Sequence, residues 1–135
     1  MNPKVTVNNS TSSDIFIASD PNWDDQILTI DGVKQNTPFK LTSSGIVVVS
    51  VTYDIGTQKS SVRGTDDRYE MGIIFSASKD FDTDPDGYQL VIGKNGAGKL
   101  DVTDGGPEEA TPSFNYRISD QNPESMLMTF ISAIN

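Results

Sequence analysis

Asp82-Thr83-Asp84-Pro85-Asp86-Gly87 carries the most pointed chemistry in the chain. Carboxylates at alternate positions can turn their oxygens toward one hard cation, and the glycine that follows lets the backbone bend sharply around it. Asp82, Asp84 and Asp86 would supply side-chain oxygens, Tyr88 its backbone carbonyl, and Asp80 a further charge just upstream. Calcium takes roughly six to eight oxygens at about 2.3–2.6 Å. Water, or an acid from another loop such as Asp24, Asp25 or Asp104, would therefore have to complete the set. The plain alternative is a solvated acidic turn, because Asp-Pro-Asp-Gly is good turn chemistry without any ion.

The six residues resemble the Asp-x-Asp-x-Asp-Gly calcium loops of EF-hands, dockerins and integrin propellers. The likeness stops there. An EF-hand has a bidentate Glu at the twelfth position, where this chain has Gly93, and the flanks read as strand rather than helix. The resemblance implies a calcium loop carried on a β-hairpin.

A second acidic loop, Asp20-Pro21-Asn22-Trp23-Asp24-Asp25, also alternates oxygen ligands, but Asp25 stands where the bend would need glycine. It holds the only Trp of the chain. Trp23 could stack on a sugar ring or anchor a partner, with Asp24 and Asp25 as polar contacts, or it could simply cover one edge of the core. Gly93-Lys94-Asn95-Gly96-Ala97-Gly98-Lys99 has the spacing of a phosphate loop. Leu100 replaces the Ser or Thr that would hold magnesium, and the Asp-Gly-Gly-Pro run that follows cannot make the helix whose N-terminus binds phosphate. A hairpin turn at Asn95-Gly96, of type I′ with Gly96 at positive φ, is the better reading. Carboxylate pairs suited to glycoside hydrolysis carry almost no signal among 19 acids.

The elements that must position these residues are strands. Ten short runs alternate with period 2: 4–8, 14–19, 26–30, 39–41, 46–53, 69–77, 88–92, 100–102, 113–118 and 126–133. Val47, Val49, Val51 and Tyr53 share one face of the most β-prone run, with Ile46 and Val48 opposite, which predicts a central strand partly buried on both sides. Tyr69, Met71, Ile73, Phe75 and Ala77 point inward on the next, with Ile74 the one apolar residue facing out. Asp31-Gly32 signals a hairpin, and 54–68 is a long polar connection of the functional or mobile kind. These features predict one all-β domain over residues 1–135, an antiparallel sandwich of eight to ten strands, with a barrel as the alternative.

If every connection reverses the chain, alternate loops share an end. Asp20, Asp24 and Asp25 would then meet Asp80, Asp82, Asp84 and Asp86, and also Asp104, Glu108 and Glu109, in one acidic pole opposed only by Lys79. Such a pole repels itself unless cations bind.

Composition narrows the function. A net charge of −9 lacks the clustered Lys and Arg that neutralise phosphates, which argues against nucleic acid and against docking on anionic membranes. The charge favours a soluble chain. No Cys and no His removes disulfides, thiol and Ser-His chemistry and the usual zinc sites. The N-terminus has no signal-peptide pattern and no run reaches transmembrane length, so a cytoplasmic place or non-classical export is expected. The leading expectation is a non-enzymatic, calcium-assisted binding module for carbohydrate, or else for a protein ligand. A membrane-lipid-binding or self-assembling sandwich comes second and a carboxylate hydrolase third, and an oligomer is compatible with each.

Overall fold

The structure is a computed structural model and describes residues 3–23, 26–53, 70–109 and 111–133, except the side chain of Tyr53. Eleven strands are present: β1 Lys4–Asn9, β2 Ile15–Ser19, β3 Gln26–Ile30, β4 Val33–Lys34, β5 Phe39–Leu41, β6 Ile46–Tyr53, β7 Met71–Ser76, β8 Gly87–Lys94, β9 Leu100–Pro107, β10 Phe114–Ser119 and β11 Ser125–Ser132. They form two sheets, ordered β10-β11-β1-β6-β3-β4 and β5-β2-β7-β8-β9. All pairings are antiparallel except β1 with β11. The two sheets share no ladder, so the fold is a sandwich and not the barrel alternative. No helix among the described residues is long and apolar enough to cross a membrane.

Alternation dictates the core, because successive side chains of a strand face opposite ways. Val5 and Val7 of β1, Val47, Val49 and Val51 of β6, Met71, Ile73 and Phe75 of β7, and Met126, Met128 and Phe130 of β11 are all buried in one cluster. Fully burying each such side chain is worth about 1.5–3 kcal/mol. Aromatic rings bridge the sheets at one end of the core. Phe75 meets Phe130 at 4.9 Å between centroids, and Tyr88 meets Tyr116 edge-on at 4.8 Å. Phe114 is buried with them, whereas Tyr116 and Ile118 are only partly covered on the edge strand β10.

Several expectations are corrected. β6 is the central strand expected, flanked by β1 and β3 with Val48 partly buried on its outer face, but Ile46 at its start is 61% exposed. Ile74, expected to face out, does so but is buried, since every residue of β7 is buried. Tyr69 and the long connection lie outside the described residues. The Asp31-Gly32 turn does adopt left-handed values, φ 50° and 81°, and returns the chain as β4, which periodicity alone had missed in so short a strand. That extra reversal flips the direction of every later strand. β7 therefore runs antiparallel to β2, and the loop after β2 leaves the sheet at the end opposite the loops after β7 and β9. The acidic loops therefore do not share one end, although Asp20, Asp104 and Glu108 still meet across the outer face of the second sheet.

The hairpin after β8 is also not the two-residue turn expected. Asn95 N–H donates to the Lys99 carbonyl and Gly98 N–H to the Asn95 carbonyl, leaving a three-residue loop of Gly96, Ala97 and Gly98. Its left-handed residue is Gly98, at φ +75°, whereas Gly96 has no such constraint and open space around it. This is a turn followed by a left-handed residue that starts a bulge. In urea denaturation Gly98→Val should cost about 1–2 kcal/mol, the price of a β-carbon in the left-handed region. Gly96→Val should stay within about 0.5 kcal/mol of wild type.

Candidate functional site

In the Asp82 loop, Asp80 anchors a tight turn. Its carbonyl accepts from Thr83 N–H at 3.0 Å and from Asp84 N–H at 2.7 Å. Asp80, Asp82 and Asp84 are exposed, while Asp86 is partly buried and its Oδ1 accepts from Ser113 N–H at 2.7 Å. Tyr88 lies within β8, in register with Phe75 on one side and Pro107 on the other, so its carbonyl belongs to a sheet rather than to a wrapping loop. Its ring is core, and its hydroxyl donates to the Phe114 carbonyl at 3.1 Å. Burial, followed by the nearby Tyr116 and Asp86, raises the Tyr88 pKa above its ordinary value.

Gly87 has a local reason to be glycine. A β-carbon there would sit 2.0 Å from the Phe75 carbonyl oxygen. Among the described residues no group of three or more carboxylates is placed to hold a metal ion. Asp82 and Asp84 are exposed in a turn closed by backbone hydrogen bonds to the Asp80 carbonyl.

Asp20 to Trp23 form the second feature. Trp23 N–H donates to the Asp20 carbonyl at 2.9 Å, and Asn22 N–H donates to Asp20 Oδ1 at 2.9 Å. Asp followed by Pro is the composition such a turn favours. The turn lies across the outer face of the second sheet at Gly72, whose added β-carbon would fall 2.6 Å from Trp23 Cδ1 and 3.0 Å from Asp20 Cβ. Trp23 thus covers the outside of a sheet, not an edge of the core, and is half-buried there. Asp24 and Asp25 lie outside the described residues.

Gln26 secures this arrangement from the other sheet. Its amide donates to the Gly72 carbonyl and to Ser19 Oγ, and accepts from Gly72 N–H at 3.2 Å. The side chain supplies the ladder partner that β7 loses where β2 ends.

Beside Trp23 a hollow of about 370 Å³ opens on the outer face of the second sheet. Its floor is Gln89 and Val91 of β8, and its far wall runs from Asp104 to Glu108. Gln89 Nε2 donates to Asp20 Oδ2 at 2.7 Å, bringing the buried Asp20 carboxylate to the floor. The wall is strand, although the alternating run in the sequence stops at 102. β9 continues to Pro107 because Gly105, at φ +100°, has no β-carbon to strike the Gln89 carbonyl 2.1 Å away. A register shift opposite Val91/Ile92 leaves Thr103 as the extra residue and turns the strand at the hollow.

Glu108 is the residue that the sequence did not single out for this site. Its Oε2 is buried with no hydrogen-bond partner among the described residues. Burial raises its pKa, with Asp20 and then Asp82 adding repulsion. Counting chain reversals put Glu108 with Asp20 and Asp82 in the expected acidic pole, but spacing could not show that one of its oxygens would be buried without a donor. Neither a protein-family model nor a curated protein sequence matches the chain.

Two outcomes follow from the electrostatics. The folded protein holds the Glu108 proton more tightly than the unfolded chain, whose value is near 4.5. That contribution to stability is complete below the unfolded value and is lost as pH rises through the raised folded one. Glu108→Gln should therefore gain melting temperature relative to wild type as pH moves from below 4.5 to neutrality, read from paired thermal melts. Separately, melting curves in millimolar calcium, in millimolar magnesium and in chelator should superimpose while the Asp80–Asp86 turn stays closed. A calcium-specific rise, about 2.7 kcal/mol at a hundredfold excess over Kd, would show that the turn opens to take an ion.

Proposed function

We propose that this domain is a non-enzymatic binding module for saccharide, and that the hollow beside Trp23 is its binding site. The observation that supports the reading is one aromatic ring fixed over a glycine of a sheet, beside converging carboxylate and amide groups of Asp20, Asn22 and Gln89. A sugar ring has an apolar face and a rim of hydroxyls. An indole matches the face, and carboxylates and amides match the rim. The volume is within the range of small-ligand pockets, which run from about 300 to 1,000 Å³.

The parts are held before any ligand arrives. The Asx turn fixes Asp20, the Gln26 clamp fixes Gly72, and Gln89 fixes the second Asp20 oxygen. Preorganisation of this kind reduces the ordering cost of binding. The reading routes nothing through a cation, so calcium assistance would be an addition from the Asp82 loop.

Screening on a glycan array, followed by titration of the best ligand, tests the reading. Trp23→Ala should weaken binding by about thirtyfold or more, as truncation of a central aromatic usually costs 2 kcal/mol or more. Binding should survive chelator. Absence of any saccharide binding would reject the reading, and binding that survives Trp23→Ala unchanged would move the site elsewhere.

A further inference from the structure

Four strands end the two sheets: β10 and β4 in the first, β5 and β9 in the second. An edge strand presents backbone donors and acceptors to any strand that comes alongside, and proteins blunt such edges by shortening, bulging or charging them. β4 has two residues and β5 three. β9 carries a register shift, the left-handed Gly105, and the acids Asp101 and Asp104. β10 is different. Its six residues pair with β11 in unbroken register, and its one charge is Arg117. Ala133 N–H donates to the Ser113 carbonyl at 3.2 Å, which sets the phase of that ladder. Bonded and non-bonded pairs alternate between antiparallel strands, so Asn115, Arg117 and Ser119 bond to β11 while Phe114, Tyr116 and Ile118 turn their backbone groups to the edge. Among the described residues no strand pairs with that edge. The core is open on the same side. Tyr116 and Ile118 face inward but are only partly buried, whereas Phe130 and Met128 beside them on β11 are fully buried.

We infer that β10 pairs with β10 of a second copy, antiparallel about a two-fold axis at Tyr116, so that the two first sheets become one. The inference is independent of the saccharide reading. The residue pattern of the strand selects a second copy as the occupant. From Tyr116 in either direction it runs polar, then apolar, so an antiparallel copy sets Asn115 opposite Arg117 and Phe114 opposite Ile118. Apolar side chains then meet on the core side and polar ones outside, the self-complementarity that a two-fold interface requires. Moving the axis to Arg117 would keep the faces but set Arg117 against itself, and like charges directly opposite destabilise a strand pair. With the axis at Tyr116 the two Tyr116 backbones bond to each other, and each Phe114 bonds to the facing Ile118. The Phe114 carbonyl already accepts from the Tyr88 hydroxyl at 3.1 Å, and its second lone pair serves the new bond. Tyr116 and Ile118 gain the cover they lack. Of the two long edges, β9 and β10, only β10 is free of acids, which lowers the repulsion between chains of net charge −9.

Sedimentation velocity of the full chain, from micromolar to millimolar concentration in physiological salt, tests this. The expected result is a reversible monomer–dimer equilibrium. Ile118→Pro removes a donor that points at the partner and none that points at β11, so it should melt cooperatively and stay monomeric. Asn115 is exposed, and its variants are expected to fold. Asn115→Glu, facing Arg117 of the other copy, should tighten the dimer roughly threefold or more, and Asn115→Arg should weaken it by a similar factor, because each contact occurs twice. A monomer at every concentration overturns the inference, whatever foreign strand the edge accepts. A dimer that a folded Ile118→Pro leaves intact overturns it too, as does one that neither Asn115 variant moves. Should Ile118→Pro fail to fold, the two Asn115 variants decide alone.

Discussion

The pairing of the Gln26 amide with the backbone of Gly72 is the interaction on which the second face of this protein depends. β2 ends at Ser19, and one residue later the chain turns away, leaving the edge of β7 short of a partner. Buried backbone groups without partners cost about 1–3 kcal/mol each. An amide side chain has the same donor and acceptor as a peptide group, so Gln26 completes the ladder from the opposite sheet. The chain between Asp20 and Gln26 is then pinned at both ends, and Trp23 has one place to go. Gly72 provides it by having no side chain.

A comparable tie holds the other end of the sandwich. Asn9, fully buried at the end of β1, donates to the carbonyls of Ser13 and of Leu41 in β5, while its Oδ1 accepts from Thr11. Both ties cross between sheets, and both use an amide, which is uncharged and satisfies donor and acceptor at once. Charged groups would cost far more to bury. The aromatic cluster of Phe75, Tyr88, Phe114, Tyr116 and Phe130 packs between the sheets at the Asn9 end, so the two sheets are fixed by packing and by directed polar contacts together.

Against this frame the acids have a clear division of labour. Those of the Asp82 loop face solvent or close a turn. Glu108 is different because sheet geometry moves it away from water and toward Asp20. The β9 bulge and the left-handed Gly105 turn the strand there.

Much of the fold was legible in the residues themselves. Period-2 alternation identified β1, β2, β3, β5, β6, β7, β10 and β11 nearly to their ends, and with them the core positions of Val49 and Phe75, because burial on one face imposes that pattern directly. The Asp31-Gly32 turn was legible for an equally local reason, its left-handed φ values. β4 was not, since two exposed residues carry no period, and missing it reversed the placement of the acidic loops. Nor could spacing reveal why Gly72, Gly87 and Gly105 are glycines, for each answers to an atom contributed by another strand or turn. The sequence by itself determined a two-faced set of strands and a loop containing Trp23 and Asp20. Only the tertiary structure decided that these residues meet Gln89 and Glu108 in one hollow, because contacts among residues far apart in the chain depend on sheet order and register, which local chemistry leaves open.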